Sequence, residues 1–138
     1  MKKVYDTINQ YCVEHELLTN GDGIVIGLSG GMDSVCLLQV LAALRNEWQL
    51  RLVCVHVHHG IRGTAADEDA AFAQRLAAKY NISFRLYEMD IPQLAKEQGL
   101  SEEEAGRNYR YRCSEEVRKE LNFDKIAVAH HRDDQAET

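Results

Sequence analysis

Apolar positions recur along this chain in two periods, and the changes from one period to the other mark out its elements. Val4, Ile8, Tyr11, Cys12 and Leu18, with polar residues between them, follow a helical spacing and predict an amphipathic lead-in helix over Lys3 to Leu18. Gly21 to Gly23 ends it. Ile24 to Leu28 is a short continuous apolar run, predicted as a strand, and Ser34 to Asn46 is predicted as a helix. Its stretch VCLLQVLAAL is apolar nearly all round, so the expectation is a buried helix following a buried strand. Leu50 to Val57 carries β-branched residues at Val53, Val55 and Val57 and predicts a second strand. A helix over Asp67 to Tyr80, a strand over Ser83 to Tyr87 and a short helix over Ile91 to Gln98 follow, with Pro92 tolerated in that helix's first turn. Ser101-x-x-Glu104 is a capping-box signature and opens a helix running to about Leu121, after which Lys125 to Ala129 reads as a fourth strand.

Strands alternating with helices predict a parallel sheet covered on both faces, a Rossmann-like α/β fold. Ligands of such sheets bind at the carboxyl ends of the strands, near the point where strand order reverses. The loops after the first, second and fourth strands should therefore converge, and they hold the chemically loaded sequences SGGMDS, HHGIRG and HHRDD.

Composition narrows the class further. The 138 residues, 45% of them hydrophobic, suit a single α/β domain with its own core. No segment approaches the ~18–20 apolar residues of a membrane span, and the start MKKVYDTINQ lacks a signal peptide's apolar stretch, so the expectation is a cytoplasmic protein without membrane contact. Cys12, Cys36, Cys54 and Cys113 are far apart and form no Cys-x-x-Cys pair, which favours reduced core thiols over metal or disulfide sites. A formal charge of −6 argues against a general nucleic-acid coat but allows a local basic site. The last residues, Asp134 to Thr138, read as the first turn of a helix that does not continue, so the chain is expected to be a fragment.

The first loop has the chemistry of an anion site. A helix that follows a strand presents unpaired N–H groups and its positive end to the loop. Gly30 and Gly31 open backbone conformations closed to other residues, and Ser29 and Ser34 supply hydroxyls, one to cap the helix and the other to meet phosphate oxygens. A carboxylate beside phosphate is repulsive unless a divalent cation lies between them, so Asp33 points to Mg²⁺. The plainer alternative is a Gly-Gly turn with Asp33 and Ser34 as helix caps.

In the second loop, His56 and His58 fall on one side of a strand while His59 begins a turn, which favours hydrogen bonding or stacking to a base or ribose over a metal cluster. Arg62, between two glycines, is either a phosphate contact or a solvated loop arginine. In the fourth loop, adjacent Asp133 and Asp134 repel unless a cation or a helix N-terminus offsets them, so one is a candidate metal ligand or nucleotide contact. Asp134 with Glu137 also fits a helix cap and its box partner. On the helix from Ser101, Arg107, Tyr111 and Arg118 fall within about 40° of one another, apart from the stripe Ala105, Tyr109, Cys113 and Val117. That face is either laced by Arg–Glu pairs or turned towards phosphate or RNA.

The Ser29 to Ser34 pattern resembles the PP-loop of the N-type ATP pyrophosphatases, which cleave ATP between its α and β phosphates and adenylate a substrate. Taken with VHVHHGIRG, SEEEAGRNYRYR and AHHRDDQAET, the chain from about Ile24 to Thr138 looks like the amino-terminal part of the tRNA(Ile)-lysidine synthetase family. The resemblance implies a truncated PP-loop domain over residues 1–138, without the family's tRNA-binding domains. It implies ATP and Mg²⁺ as cofactors, and free lysine and a tRNA(Ile) with a CAU anticodon as partners. The wobble cytidine would be adenylated and then joined to lysine, giving lysidine; whether the parent is a homodimer stays open. Carried over, Ser29, Gly30, Gly31, Met32, Asp33 and Ser34 would hold ATP, with His56, His58, His130 and Asp133 lining the nucleotide. Asp33 and Asp134 would hold the metal, and Asp33, Arg107, Arg110 and Asp134 would act in catalysis, with Tyr111 beside the arginines. Gly106 stands where that pattern has alanine, a substitution that costs ~1 kcal/mol of helix stability and would loosen the arginines. The rival readings are a tRNA thiolase of the 2-thiocytidine type, which would need paired cysteines that the chain lacks, and a non-catalytic ATP-binding module.

Overall fold

The computed structural model describes residues 19–28, 32–60 and 65–128, with Met32 and Asp33 described in backbone only. The strands are β1 (Gly23–Leu28), β2 (Arg51–His58), β3 (Ser83–Glu88) and β4 (Lys125–Val128). The helices are α1 (Met32–Trp48), α2 (Ala65–Lys79), α3 (Ile91–Gln98) and α4 (Glu102–Leu121). All strand pairs are parallel, in the order β3-β2-β1-β4, so β1 lies inside the sheet.

Alternation along the central strands feeds two cores. Ile24, Ile26, Leu28 and Cys54 point to one face, where they meet Leu38, Leu41 and Leu44 of α1 and Ala73, Leu76 and Ala77 of α2. Val25, Val53, Val55 and Val57 point to the other, against Cys113 and Val117 of α4. Each fully buried aliphatic side chain contributes about 1.5–3 kcal/mol, so the two layers hold the sheet's middle rigid. Ile91 and Ala95 of α3 pack on Ala105 of α4 as a third, smaller cluster.

Local signals set the helix ends. Ser101 Oγ accepts the Glu104 N–H at 3.1 Å, one half of the capping box, and the Asp90 carboxylate accepts the Gln93 N–H at 3.1 Å ahead of Pro92. Asn122, in the left-handed region at φ 56°, closes α4 through its N–H to the Arg118 and Lys119 carbonyls. At the amino edge of the sheet, the buried Asp22 carboxylate receives the Thr19 N–H at 2.7 Å and the Lys125 ammonium at 2.5 Å, tying β4 to the start of β1.

Two expectations change. α1 starts at Met32, so Ser34 is not a helix cap but a buried member of the first turn, beside Asp33. Nor is α1 enclosed all round: Cys36, Ala43, Asn46 and Glu47 are exposed, because only one side of it meets the sheet. The predicted lead-in helix lies outside the described residues.

Candidate functional site

The register of the sheet fixes where the loops leave. Leu28 at the end of β1 pairs with His56 of β2, and Gly27 pairs with Val128 at the end of β4. The chain therefore departs after β1, β2 and β4 from a single edge, and strand order reverses at β1, flanked there by β2 and β4. A side chain at Gly27 would put its Cβ 2.8 Å from Val128 Cγ1, so glycine is what lets these two strand ends close up. α1 begins four residues beyond Leu28, so the positive end of its dipole faces that edge.

Three histidines share the end of β2 but not one environment. His56 Nδ1 lies 2.8 Å from the Leu28 carbonyl oxygen and the residue is buried. Burial lowers the His56 pKa, against the raising effect of that carbonyl. His58, also buried, has Nε2 2.6 Å from Asp67 Oδ1 in the first turn of α2 and receives the Gly60 N–H on Nδ1 at 3.0 Å. His59 is exposed, and its ring lies beside Gly106, where an added Cβ would sit 3.8 Å from Cε1. Partial desolvation of the ring where it leans on α4 first, and the positive charge of Arg110 second, lower the His59 pKa, which favours a neutral ring able to stack or accept a hydrogen bond. Gly60 itself has φ +83° and abuts the Met89–Asp90 backbone, with an added Cβ only 2.8 Å from Asp90 Cα. The link after β2 is thereby seated on the link after β3, and the Met89 and Ile91 N–H groups donate to the His58 and His59 carbonyls.

Arg110 reaches this edge from α4, close enough for its charge to act on both His56 and His59. Arg107 and Tyr111 are exposed on the same helix, Arg107 with a long 3.8 Å contact to Glu103 among the described residues. Arg118, which shares their azimuth, lies within charge range of Tyr111 but well along the helix from Arg107. It forms a bidentate pair with Glu115 and donates to the Phe123 carbonyl at the opposite end of α4. Angular position says nothing about which end of a twenty-residue helix meets the site, so a shared azimuth does not by itself bring Arg118 to the strand carboxyl edge.

Ser29, Gly30, Gly31, Arg62, His130, Asp133, Asp134 and Glu137 lie outside the described residues, as do the side chains of Met32 and Asp33. Among the described residues, no three His, Cys, Asp or Glu side chains gather to hold a metal ion. Cys54 and Cys113 are buried on opposite faces of the sheet, and Cys36 is exposed. Sequence reasoning took Asp67 only as an acid at a helix start and missed its bond to His58. It also left His59 without a role of its own, although the period of two that pairs His56 with His58 already sets His59 apart. An open depression between α3 and α4, lined by Asp90, Lys96, Ser101 and Glu102 among others, contains none of the candidate site residues.

A family model described as a PP-loop domain matches residues 2–138. A tRNA(Ile)-lysidine synthase of Caldanaerobacter subterraneus subsp. tengcongensis is 46% identical over 138 residues, covering 100% of this chain and 29% of that protein. One from Clostridium perfringens is 42% identical over 137 residues, covering 99% of this chain and 28% of that protein. The chain thus spans less than a third of the length of these curated relatives. Among solved structures, the U34-tRNA thiolase NcsA from Methanococcus maripaludis superposes with a TM-score of 0.73 at 20% identity, over 94% of this chain and 45% of that one. An NH3-dependent NAD synthetase from Campylobacter jejuni gives 0.67 at 18% identity, over 95% of this chain and 57% of its own. These last two likenesses are of fold.

Proposed function

The chain belongs to the PP-loop domain family, and on that premise we propose that it is the ATP-binding part of a cytoplasmic tRNA(Ile)-lysidine synthetase. The observation that carries the reading is the common edge. The end of β1, the first turn of α1, the histidines of β2 and Arg110 of α4 all meet there, at the reversal of strand order. First-turn N–H groups and the Ser34 side chain suit phosphate oxygens, and Arg110 adds positive charge for a leaving pyrophosphate. In the proposed reaction the C2 oxygen of the wobble cytidine attacks the α-phosphorus of ATP and pyrophosphate leaves. The amine of lysine then adds at C2, AMP departs with that oxygen, and the amine gives up its proton. Mg²⁺ would offset the charge of the phosphates, with Asp33 and Asp134 as its candidate ligands. The protein's own part is placement: amides and arginine hold the nucleotide while the cytidine is brought in line with it.

Thiolation is the less supported alternative, since Cys54 and Cys113 lie on opposite faces of the sheet. The test uses the chain within its full-length parent, incubated with ATP, Mg²⁺, lysine and CAU-anticodon tRNA(Ile), followed by mass spectrometry of the digested nucleosides. A lysine-adducted cytidine is expected with the natural sequence and none with Asp33→Ala, whose circular dichroism should be unchanged. Unmodified cytidine despite ATP binding would move the reading to another acceptor. Near-normal product from Asp33→Ala would exclude its metal role.

A further inference from the structure

We propose that His56 and His58 are positioning residues that clasp the chain on either side of the nucleotide site, and that neither ring contacts the nucleotide. The inference rests on the reading that the residues after β1 receive the phosphates of ATP.

The hydrogen-bond roles follow from the partners. A carbonyl oxygen only accepts, so the 2.8 Å contact between His56 Nδ1 and Leu28 O requires the proton on Nδ1. Leu28 is the residue before Ser29, and its carbonyl is held by a side chain of the neighbouring strand. The chain is thereby fixed at Leu28 in height and direction relative to β2. A backbone N–H only donates, so the 3.0 Å contact from Gly60 N requires a bare Nδ1 on His58. The neutral ring then carries its proton on Nε2 and gives it to the Asp67 carboxylate at 2.6 Å. His58 thus joins Gly60 to Asp67, the described residues on either side of residues 61–64, and both of its ring nitrogens are in use. Glu88 Oε2, from β3, stands 3.9 Å from Nδ1, too far to take a hydrogen bond from it. Both side chains project from β2 on the same side as Cys54, towards α1 and α2, and both rings are almost wholly buried. Such a pair fixes Leu28, Gly60 and Asp67 before ligand arrives, which lowers the ordering cost of binding.

Isosteres separate a clasp from a ligand contact. Asparagine places its amide nitrogen where Nδ1 stood, whereas glutamine reaches the position of Nε2. His56→Leu is expected to weaken ATP binding by this chain about tenfold, and His56→Asn to recover most of that loss while His56→Gln does not. Rescue by glutamine and not by asparagine would mean that Nε2 touches the nucleotide, and would overturn the proposal for His56. For His58, whose donor is Nε2, glutamine is expected to rescue the leucine variant.

A long-range ¹H–¹⁵N spectrum of the natural chain at neutral pH needs no variant to fold. It should show His56 protonated at Nδ1 only and His58 at Nε2 only, with both patterns kept on saturation with ATP and Mg²⁺. The opposite tautomer at either ring, or a bare ring nitrogen that shifts strongly as it accepts from ligand, would refute the clasp. If the natural chain binds no ATP, the nucleotide reading fails, while these tautomers still decide whether the rings tie Leu28, Gly60 and Asp67 together.

Discussion

Burial holds the His56 ring below the ordinary imidazole pKa of 6.5, outweighing the bond to the Leu28 carbonyl. Below about pH 6.5 the unfolded chain takes up a proton that the native ring refuses, so the unfolded state binds more protons and stability falls as the pH falls. His59, lowered by partial desolvation and then by Arg110, acts in the same direction. The urea midpoint is therefore expected to drop on acidification through the window below about 6.5, and to drop less in His56→Asn; a midpoint that rises there would contradict the assignment. Thiols give a second check on the packing around single residues. Burial pushes the Cys54 thiol up to about 12 and also raises Cys113, while Cys36 is exposed on α1. Iodoacetamide at neutral pH should label Cys36 in the native chain and reach Cys54 and Cys113 only in denaturant, as read by peptide mass spectrometry. Labelling of Cys54 under native conditions would mean that the face under α1 and α2 opens.

α4 runs unbroken from Glu102 to Leu121 through a buried glycine. A Cβ at Gly106 would meet Ile91 Cγ2 at 3.7 Å and His59 Cε1 at 3.8 Å, both ordinary contacts. Gly106→Ala should accordingly stabilise the chain by ~1 kcal/mol, by restricting the unfolded state and filling no space that is taken. Chemical unfolding would measure it, and destabilisation would show that the His59 ring cannot give way. Much of this element was legible in the sequence. Ser101 with Glu104 marked its start, and the stripe Ala105, Cys113 and Val117 marked its buried face, because both signals lie within a few residues of each other. The start of α1 was less legible. A loop rich in glycine and serine gives no local cue to the residue at which helical hydrogen bonding begins, and the first turn therefore came two residues earlier than predicted, at Met32.

Across the whole molecule, the sheet order separates what α4 offers to a ligand from what it spends on the fold. Arg107 and Arg110 stand in the half of α4 near the strand carboxyl edge, about 16 and about 12 Å along the helix from Arg118 and its partners, with Tyr111 next after Arg110. Arg107→Ala in the full-length parent is expected to weaken the tRNA-dependent step more than ATP binding, seen as a larger change in tRNA KM than in ATP affinity. Equal losses in both would count against that separation. The sequence by itself determined the elements among the described residues, their α/β alternation, the parallel sheet and the edge at which SGGMDS and the second histidine loop emerge. Those follow from periodicity and from the few ways a strand can connect to its parallel neighbour. Only the tertiary structure decided that His58 meets Asp67, that His56 holds Leu28, that His59 lies beside Gly106, and that Arg118 belongs to the far end of α4. Such pairings depend on which elements pack together and at what height, and a period along one segment carries no information about the segment it will face.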